Sequence, residues 1–139
     1  MPVLNVGAGN APIEGAVSID LPGYHADVGL VGYPDGSVGG IHAYHFLEHV
    51  GRPIDVLRDF QRVLVPGGII SLGVPHACSQ MAFNDLDHKF FFTEKTFPYL
   101  FDSPYYSKNT KGWKLRLVEQ FIMGIESQYL MLFAILRKV

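Results

Sequence analysis

A glycine loop near the start of the chain constrains its fold more than any other feature. The loop, Asn5-Val6-Gly7-Ala8-Gly9-Asn10, ends the apolar run from Val3 to Val6, and Asp20 ends a second run from Ala16 to Ile19. Small residues after a strand let the backbone approach a ligand closely, and an acid after the next strand can hold a ribose diol. The pattern therefore predicts a site for a nucleoside-type cofactor.

The link between these two runs is unusually short. Only Ala11 to Gly15 lies between them, and both Pro12 and Gly15 disfavour a helix interior. We therefore expect two neighbouring strands joined without a crossover helix.

Composition limits the architecture and the classes of partner. With 139 residues, we expect a single compact domain spanning residues 1–139. The chain is 48% hydrophobic and 17% charged, which indicates a folded protein with a partner surface, so a homo-oligomer is an open expectation. The net charge of -2 gives no general attraction to nucleic acid or membranes.

The single cysteine bears on compartment and redox chemistry. Cys78 has no partner for an internal disulfide or a cysteine-based metal cluster, so we expect it to be a small packing residue. The chain shows neither a basic leader nor an apolar run of 18 residues, and we expect no signal peptide and no membrane span. These observations favour a cytoplasmic protein.

Hydrophobic periodicity predicts a strand-helix-strand unit in the middle of the chain. Gly40 to His45 is typical of a buried strand, and a helix from Pro53 carries apolar residues at helical spacing up to Leu64. Pro66-Gly67-Gly68 ends it, and Ile69 to Val74 supplies the next strand. A right-handed crossover of this kind implies a parallel sheet.

The flanking regions are less regular. Ala26 to Val31 is the only candidate for an edge strand in a segment rich in glycine and proline. Thr93 and Glu94 predict a cap for a short helix that extends to Phe101. Lys114 to Ile122 and Tyr129 to Arg137 predict a closing pair of antiparallel strands.

The glycine loop does not match the common nucleotide-binding fingerprints. A dinucleotide loop has a third glycine where this chain has Pro12, and its acid lies farther along the chain than Asp20. The lysine and hydroxyl of the Walker loop are absent from the sequence.

Five motifs in order resemble the class I S-adenosylmethionine-dependent methyltransferases, in the compact form of the methyltransferase type 11 group. The motifs are Leu4-Asn5-Val6-Gly7-Ala8-Gly9-Asn10, Ser18-Ile19-Asp20-Leu21, Tyr33-Pro34-Asp35-Gly36-Ser37, His45-Phe46-Leu47-Glu48-His49-Val50 and Arg62-Val63-Leu64-Val65-Pro66-Gly67-Gly68. The resemblance implies an α/β fold with a Rossmann-like sheet of order 3-2-1-4-5-7-6, mostly parallel with an antiparallel C-terminal strand and few helices.

The resemblance also implies a cofactor, S-adenosyl-L-methionine, at the carboxyl ends of the first strands. Gly7 and Gly9 would pass under its methionine and ribose portions, and Asp20 would accept hydrogen bonds from the ribose hydroxyls. The implied cofactor-binding residues are Asn5, Gly7, Ala8, Gly9, Asn10, Asp20, Leu21 and His45.

Histidines supply the candidates for acid-base chemistry. His45 follows one predicted strand and His76 the next, while His88 lies in a later loop at the same edge. In-line methyl transfer to a hydroxyl requires alignment and removal of a proton, which imidazole can accept near neutral pH. We take His45, His76 and His88 as candidate catalytic residues, with a hydrogen-bonded structural role as the alternative for each.

A metal site is a further alternative within the same loops. Asp85, Asp87 and His88 offer oxygen and imidazole ligands for a divalent ion, but a short loop fixes no geometry for them. Our expectation is no metal, with His88 and the aromatic run Phe90 to Phe92 lining the acceptor entrance. The same aromatic run is also consistent with a core segment.

The acceptor is constrained mainly by exclusion. Tyr44-His45-Phe46 stands where amino-methylating nucleic-acid enzymes carry an Asn-Pro-Pro-Tyr type segment, so a small-molecule or glycan-type hydroxyl is favoured. Nucleic acid is the minority interpretation, based on aromatic and basic residues between Tyr105 and Trp113. A non-catalytic, partner-dependent subunit is the rival function, favoured by the short middle region and high apolar fraction.

Overall fold

The protein is described by a computed structural model that covers residues 1–20, 29–103, 112–125 and 127–139. Its six strands are β1 (Val3–Val6), β2 (Val17–Ile19), β3 (Val38–Tyr44), β4 (Leu64–Pro75), β5 (Leu115–Ile125) and β6 (Tyr129–Lys138). The helices are a 3₁₀ turn (Leu47–His49), α1 (Pro53–Val63), α2 (Met81–Asn84) and α3 (Thr96–Asp102).

One sheet contains all six strands, in the order β2-β1-β3-β4-β6-β5. The first four strands pair in parallel, β6 is antiparallel to β4, and β5 is antiparallel to β6. This confirms the Rossmann-like α/β prediction, with the third strand of the expected order not seen in the described residues. The candidate edge strand from Ala26 to Val31 lies largely outside them.

The connection between β1 and β2 contains turns but no helix, as its length predicts. The two strands pair in parallel with Val6 opposite Ile19, and the Gly7 amide donates to the Ile19 carbonyl at 2.7 Å. The glycine loop therefore leaves the sheet level with the end of β2.

Helix α1 follows its sequence pattern closely. Pro53 occupies its first turn, where no intrahelical amide bond is required, and its apolar face is buried through Leu57, Phe60 and Val63. On the opposite face, the Arg62 guanidinium donates to Asp59 and Asp35, both at 2.9 Å. Asp35 belongs to the turn before β3, so this pairing ties that turn to the helix.

Strand β4 begins earlier than its apolar run indicates. Val38 pairs with Leu64 and Gly40 pairs with Ile69, so the residues between Leu64 and Ile69 are accommodated as an irregularity in the strand. Gly67 adopts φ +81°, a conformation that glycine accepts at little cost. The prediction that Pro66-Gly67-Gly68 is the turn that ends the helix is therefore wrong, because α1 ends at Val63 and these residues lie inside the paired strand.

Two local expectations differ from the structure. Helix α3 begins at Thr96, because the Thr93 hydroxyl accepts from the Lys95 amide and the Thr93 amide donates to the Thr96 hydroxyl, which organises a turn before the helix. The prediction that Cys78 is a packing residue is wrong, since Cys78 is exposed. None of the described helices is both long and apolar enough to cross a membrane.

The hydrophobic core lies between the sheet and the helices that cover it. Leu4 and Ile41 contribute from the central strands, while Phe60 from α1 and Phe97 from α3 cover them, and all four are essentially inaccessible to solvent. Burial of such side chains contributes about 1.5–3 kcal/mol each relative to exposure. The core fixes the carboxyl edge of the sheet, where the candidate site lies.

Candidate functional site

The glycine loop has the backbone geometry that a close ligand approach requires. Gly7 and Gly9 have φ values of +72° and +51°, which side chains other than glycine rarely adopt. A Cβ atom on Gly7 would lie 2.7 Å from the Phe46 ring, so the loop packs directly on that residue. A Cβ on Gly9 would meet no atom within 4 Å and would enter the space above the loop.

Two other loop residues hold this conformation from below. Asn5 is buried, and its side-chain amide donates to the Ala11 carbonyl at 3.0 Å. Ala8 is also buried, and its carbonyl accepts from the Ala11 amide at 2.8 Å. Gly9 and Asn10, in contrast, are exposed. One side of the loop is therefore held by buried residues, and the other side, with Gly9 and Asn10, is accessible to a ligand.

Asp20 stands beside the loop at the end of β2. Because Val6 pairs with Ile19, the next residues, Gly7 and Asp20, lie side by side at the carboxyl edge. Neighbouring strands are about 4.8 Å apart, so a ligand over the loop is within reach of this exposed carboxylate. The open space at Gly9 and the acid at Asp20 fit a nucleoside cofactor. Leu21, the remaining predicted contact, lies outside the described residues.

His45 lies at the adjoining part of the same edge. It directly follows β3, is exposed, and is the residue before Phe46, on which Gly7 packs. Its φ of +55° is a strained value for a residue with a side chain, and such strain concentrates at functional sites. Its backbone amide donates to the Gly73 carbonyl at 2.9 Å, which fixes the backbone of this residue at the carboxyl end of the sheet.

Two open clefts meet at His45. One, of about 400 Å³, is lined by Tyr44, Met131 and Phe133, and the other, of about 750 Å³, by His49, Asp85 and His88 among others. Burial is the main cause that lowers the pKa of His45 below its usual 6.5, and the nearby His49 and His88 lower it further. His45 is therefore neutral at pH 7 and able to accept a proton.

His76 has a different environment from His45. It is 5% exposed, its Nδ1 accepts from the Cys78 amide at 3.0 Å, and its Nε2 bonds to Glu94. The first bond requires the proton on Nε2, which donates it to the carboxylate. Both ring nitrogens are therefore engaged in holding the loop after β4. Its catalytic role stays a prediction that must compete with this structural role.

His88 is also largely buried and has one nitrogen engaged. Its Nδ1 donates to the Ala82 carbonyl at 2.9 Å, and its ring meets His49 edge to face, with centroids 4.7 Å apart. In the neutral ring the remaining nitrogen, Nε2, then carries no hydrogen and has a free lone pair. It lies 3.6 Å from an oxygen of Asp85.

Glu48 is the site residue that sequence patterns did not single out. It is 1% exposed, and burial raises the pKa of its carboxyl group to about 7. Both carboxylate oxygens are without a hydrogen-bond partner among the described residues. Its position between two histidines in His45-Phe46-Leu47-Glu48-His49 was the available signal, but only the fold shows that the side chain is buried.

The structure does not gather the three residues of the predicted metal alternative. The Asp87 amide donates to the Asp85 carboxylate at 2.8 Å, which organises a local turn, while His88 turns toward Glu48 and His49. The aromatic run divides as well. Phe92 is buried in the core, whereas Phe90 and Phe91 are partly exposed beside a pocket of about 560 Å³ between α1 and α3.

Comparisons with known proteins support the assignment of this edge. A model described as a methyltransferase domain matches residues 5–72, which contain the glycine loop, Asp20 and the His45 segment. No curated protein matches the chain by sequence.

Solved structures share the fold at low identity. A methyltransferase from Methanosarcina mazei that is described as S-adenosylmethionine-dependent is 15% identical, with a TM-score of 0.66. The match covers 99% of this chain and 92% of the Methanosarcina chain. The 1,6-didemethyltoxoflavin-N1-methyltransferase of Burkholderia thailandensis, solved with bound 1,6-didemethyltoxoflavin and S-adenosylhomocysteine, is 15% identical. Its TM-score is 0.66, and the match covers 99% of this chain and 70% of that one. The [4+2]-cyclase SpnF is 11% identical, with a TM-score of 0.67 over 99% and 74%.

These matches agree with the motifs and with the strand order. The sequence match covers the loop and the acid that shape the cofactor edge, and the fold match extends over almost the whole chain. Over residues 5–72 the chain is similar to the methyltransferase domain family, and its fold is that of solved structures described as S-adenosylmethionine-dependent methyltransferases.

Proposed function

We propose that the chain transfers a methyl group from S-adenosylmethionine to a hydroxyl of a small-molecule or glycan-type acceptor. The observation that carries this proposal is the contact between Gly7 and Phe46. It joins the cofactor loop to the segment that presents His45, so that cofactor and candidate base share one edge of the sheet.

The cofactor would lie over Gly7, Ala8, Gly9 and Asn10, with Asp20 accepting hydrogen bonds from its ribose hydroxyls. Asn5 would act from below by holding the loop through Ala11. When bound, S-adenosylmethionine supplies an electrophilic methyl group on a positively charged sulfur. The chain's task is then to align an acceptor oxygen with that methyl group.

His45 is our candidate for the proton acceptor. Its lowered pKa keeps the ring neutral at pH 7, and it faces both clefts where an acceptor has room. As the acceptor oxygen attacks in line, the ring would take the hydroxyl proton, which releases a neutral ether product. His76 and His88 would act by shaping the surrounding loops, because each already has at least one nitrogen engaged.

The size of the clefts and the net charge support the proposed acceptor class. The clefts of about 400 and 750 Å³ are of the size that small ligands occupy, and the net charge of -2 offers no general attraction to a nucleic acid. The similar Burkholderia enzyme is named as an N1-methyltransferase and was solved with bound 1,6-didemethyltoxoflavin. A cytoplasmic location stays a prediction from the single cysteine.

The experiment incubates the purified chain with S-adenosylmethionine and a panel of sugars and small alcohols or phenols, and measures S-adenosylhomocysteine. We expect product with at least one hydroxyl acceptor. His45→Gln should abolish most of it, whereas His42→Gln, a change in the middle of β3, should not. Equal loss in both variants would contradict the role of His45, and turnover only with nucleic acid would contradict the acceptor class.

A partner-dependent subunit is the second candidate function. Strand β5 forms the edge of the sheet and exposes several large apolar side chains, including Met123 and Ile125 at 59% and 76%. Exposed apolar surface of this kind is typical of interaction sites. Sedimentation at several concentrations separates the two candidates, because a monomer that turns over the cofactor by itself contradicts dependence on a partner.

A further inference from the structure

A carboxylate that has no hydrogen-bond partner among the described residues is buried beside three histidines at the carboxyl edge. Glu48 is 1% exposed, and neither of its carboxylate oxygens has a hydrogen bond among the described residues. Burial of an unpaired carboxylate is costly, and proteins offset such a cost with a cation, a proton or a metal ion. The surroundings of Glu48 distinguish among these three.

Two imidazole nitrogens lie close to one oxygen of the carboxylate. His45 Nδ1 and His49 Nε2 lie 3.7 and 3.8 Å from the same Glu48 oxygen. These separations are too long for hydrogen bonds. They are of the size expected when two ligand atoms share one metal ion between them, since each would lie about 2.0–2.2 Å from it.

The third histidine is brought in by the backbone and oriented by a hydrogen bond. The Lys89 amide donates to the Glu48 carbonyl at 2.7 Å, which ties the loop after α2 to the 3₁₀ turn. His88 Nδ1 donates to the Ala82 carbonyl and leaves Nε2 as the nitrogen with a free lone pair. Metal-binding histidines are commonly oriented in this way, by a bond from the ring nitrogen that does not bind the ion.

The three side chains already converge. One carboxylate oxygen of Glu48 and one ring nitrogen from each of His49 and His88 all lie within 4.8 Å of one another. Ligand atoms about 2.1 Å from a common ion are separated by roughly 3–4 Å, so movements of about 1 Å would complete the set. Small rotations of side chains suffice for that.

We propose that Glu48, His49 and His88 bind a divalent transition-metal ion, with Zn²⁺ as the best chemical match. Two imidazoles and one carboxylate are ligands that suit zinc, iron and cobalt, whereas Mg²⁺ prefers oxygen ligands alone. The site borders the cleft that His45 and Asp85 also line, so an ion there keeps a side open to that cleft. The proposal requires neither cofactor binding nor methyl transfer.

Equilibrium dialysis of the full, chelator-treated chain with ZnCl₂ tests the proposal, and CoCl₂ gives a visible spectrum as a second readout. We expect one ion per chain. Glu48→Gln and His88→Gln should each weaken binding on the order of 100-fold, since each removes one of three ligands. His42→Gln should leave binding unchanged, because His42 lies on β3 outside the cluster.

Controls for adventitious binding and for folding are included in the experiment. Cys78 is exposed, and because a thiol is itself a zinc ligand, all variants are made in a Cys78→Ser background. Circular dichroism checks that each variant folds, and His49→Gln provides a third ligand change if one of the others does not. The proposal would be overturned if no binding were detected at about 100 μM ZnCl₂, a concentration that detects even a weak site. It would also be overturned if binding survived both Glu48→Gln and His88→Gln. Loss of methyl transfer alone would leave it standing.

Discussion

The glycine loop and the histidine cluster, which is Glu48 with His45, His49 and His88, occupy the same edge of the sheet but are built in opposite ways. The loop is made by backbone conformation over residues 7–10, beside an acid that the register of β1 and β2 brings level with it. The cluster is made by side chains, with Glu48 and His88 forty positions apart and joined through the Lys89 amide. The comparison teaches that a site of backbone shape is visible in local sequence, whereas a site of converging side chains depends on the fold.

The largest difference between the two regions should be in their effect on the rate of methyl transfer. We expect His45→Gln to lower the rate of methyl transfer about 100- to 10,000-fold, the usual contribution of a general base. If His45 acts as the base and not as the cofactor contact that the resemblance also implies, the affinity for S-adenosylmethionine should stay within about twofold. Single-turnover kinetics and calorimetry on one preparation measure both quantities. A variant that loses affinity and rate in parallel would contradict separate roles for the two regions.

A smaller but global effect should arise from Glu48. Its pKa is raised from 4.5 to about 7, so the folded chain holds a proton that the unfolded chain releases. This contribution to stability is complete below pH 4.5 and is lost as the pH rises to about 7, where the difference approaches ~3 kcal/mol. Urea unfolding with a chelator present, from pH 4.5 to 8, measures it.

The matched variant for that measurement is Glu48→Gln, which keeps the shape of the carboxyl group and does not titrate. We expect its stability to change less than that of the parent chain over the same pH range. The cofactor loop should be unaffected at either end of the range. Parallel curves for the two proteins would contradict the buried, proton-binding state of Glu48.

Within the loop region, the acid should matter more than the glycines. Asp20→Ala is expected to weaken S-adenosylmethionine binding about 10- to 100-fold, because hydrogen bonds to a charged group contribute about 1.5–3 kcal/mol. Glu14→Ala removes another exposed acid of the same connection and serves as the control. Unchanged affinity in Asp20→Ala would remove the ribose contact from the account.

The smallest expected effect distinguishes backbone strain from ligand space. Gly9 and Gly36 both have positive φ, and neither would meet an atom within 4 Å on gaining a Cβ. Gly9→Ala and Gly36→Ala should therefore each lose about 1–2 kcal/mol of stability. Only Gly9→Ala should also weaken cofactor binding, by about tenfold. Equal affinities would show that the space above Gly9 is not used.

Local sequence predicted the parts of the structure that local rules govern. The parallel sheet, α1 and the helix-free link follow from hydrophobic period, Pro53 and the few residues between β1 and β2. The start of β4 could not be predicted, because Val38 pairs with Leu64 across an irregularity that only the partner strand reveals. Turn hydrogen bonds through Thr93 likewise delayed α3 to Thr96.

The candidate site divides along the same line. The spacing along the chain was enough to single out Gly7, Gly9 and Asp20, and the structure places them together. His45 and His76 looked equivalent in sequence, yet one is exposed at two clefts and the other is held by Cys78 and Glu94. That difference comes from burial and tautomer, which sequence does not encode locally.

The central claim is that the loop after β1 and the acid after β2 form a cofactor site. Calorimetric titration of the intact chain with S-adenosylmethionine, and then with S-adenosylhomocysteine, tests this most directly. We predict saturable binding of both with one site per chain, and no binding of a nicotinamide dinucleotide. No detectable binding by the folded chain, or selective binding of the dinucleotide, would contradict the account.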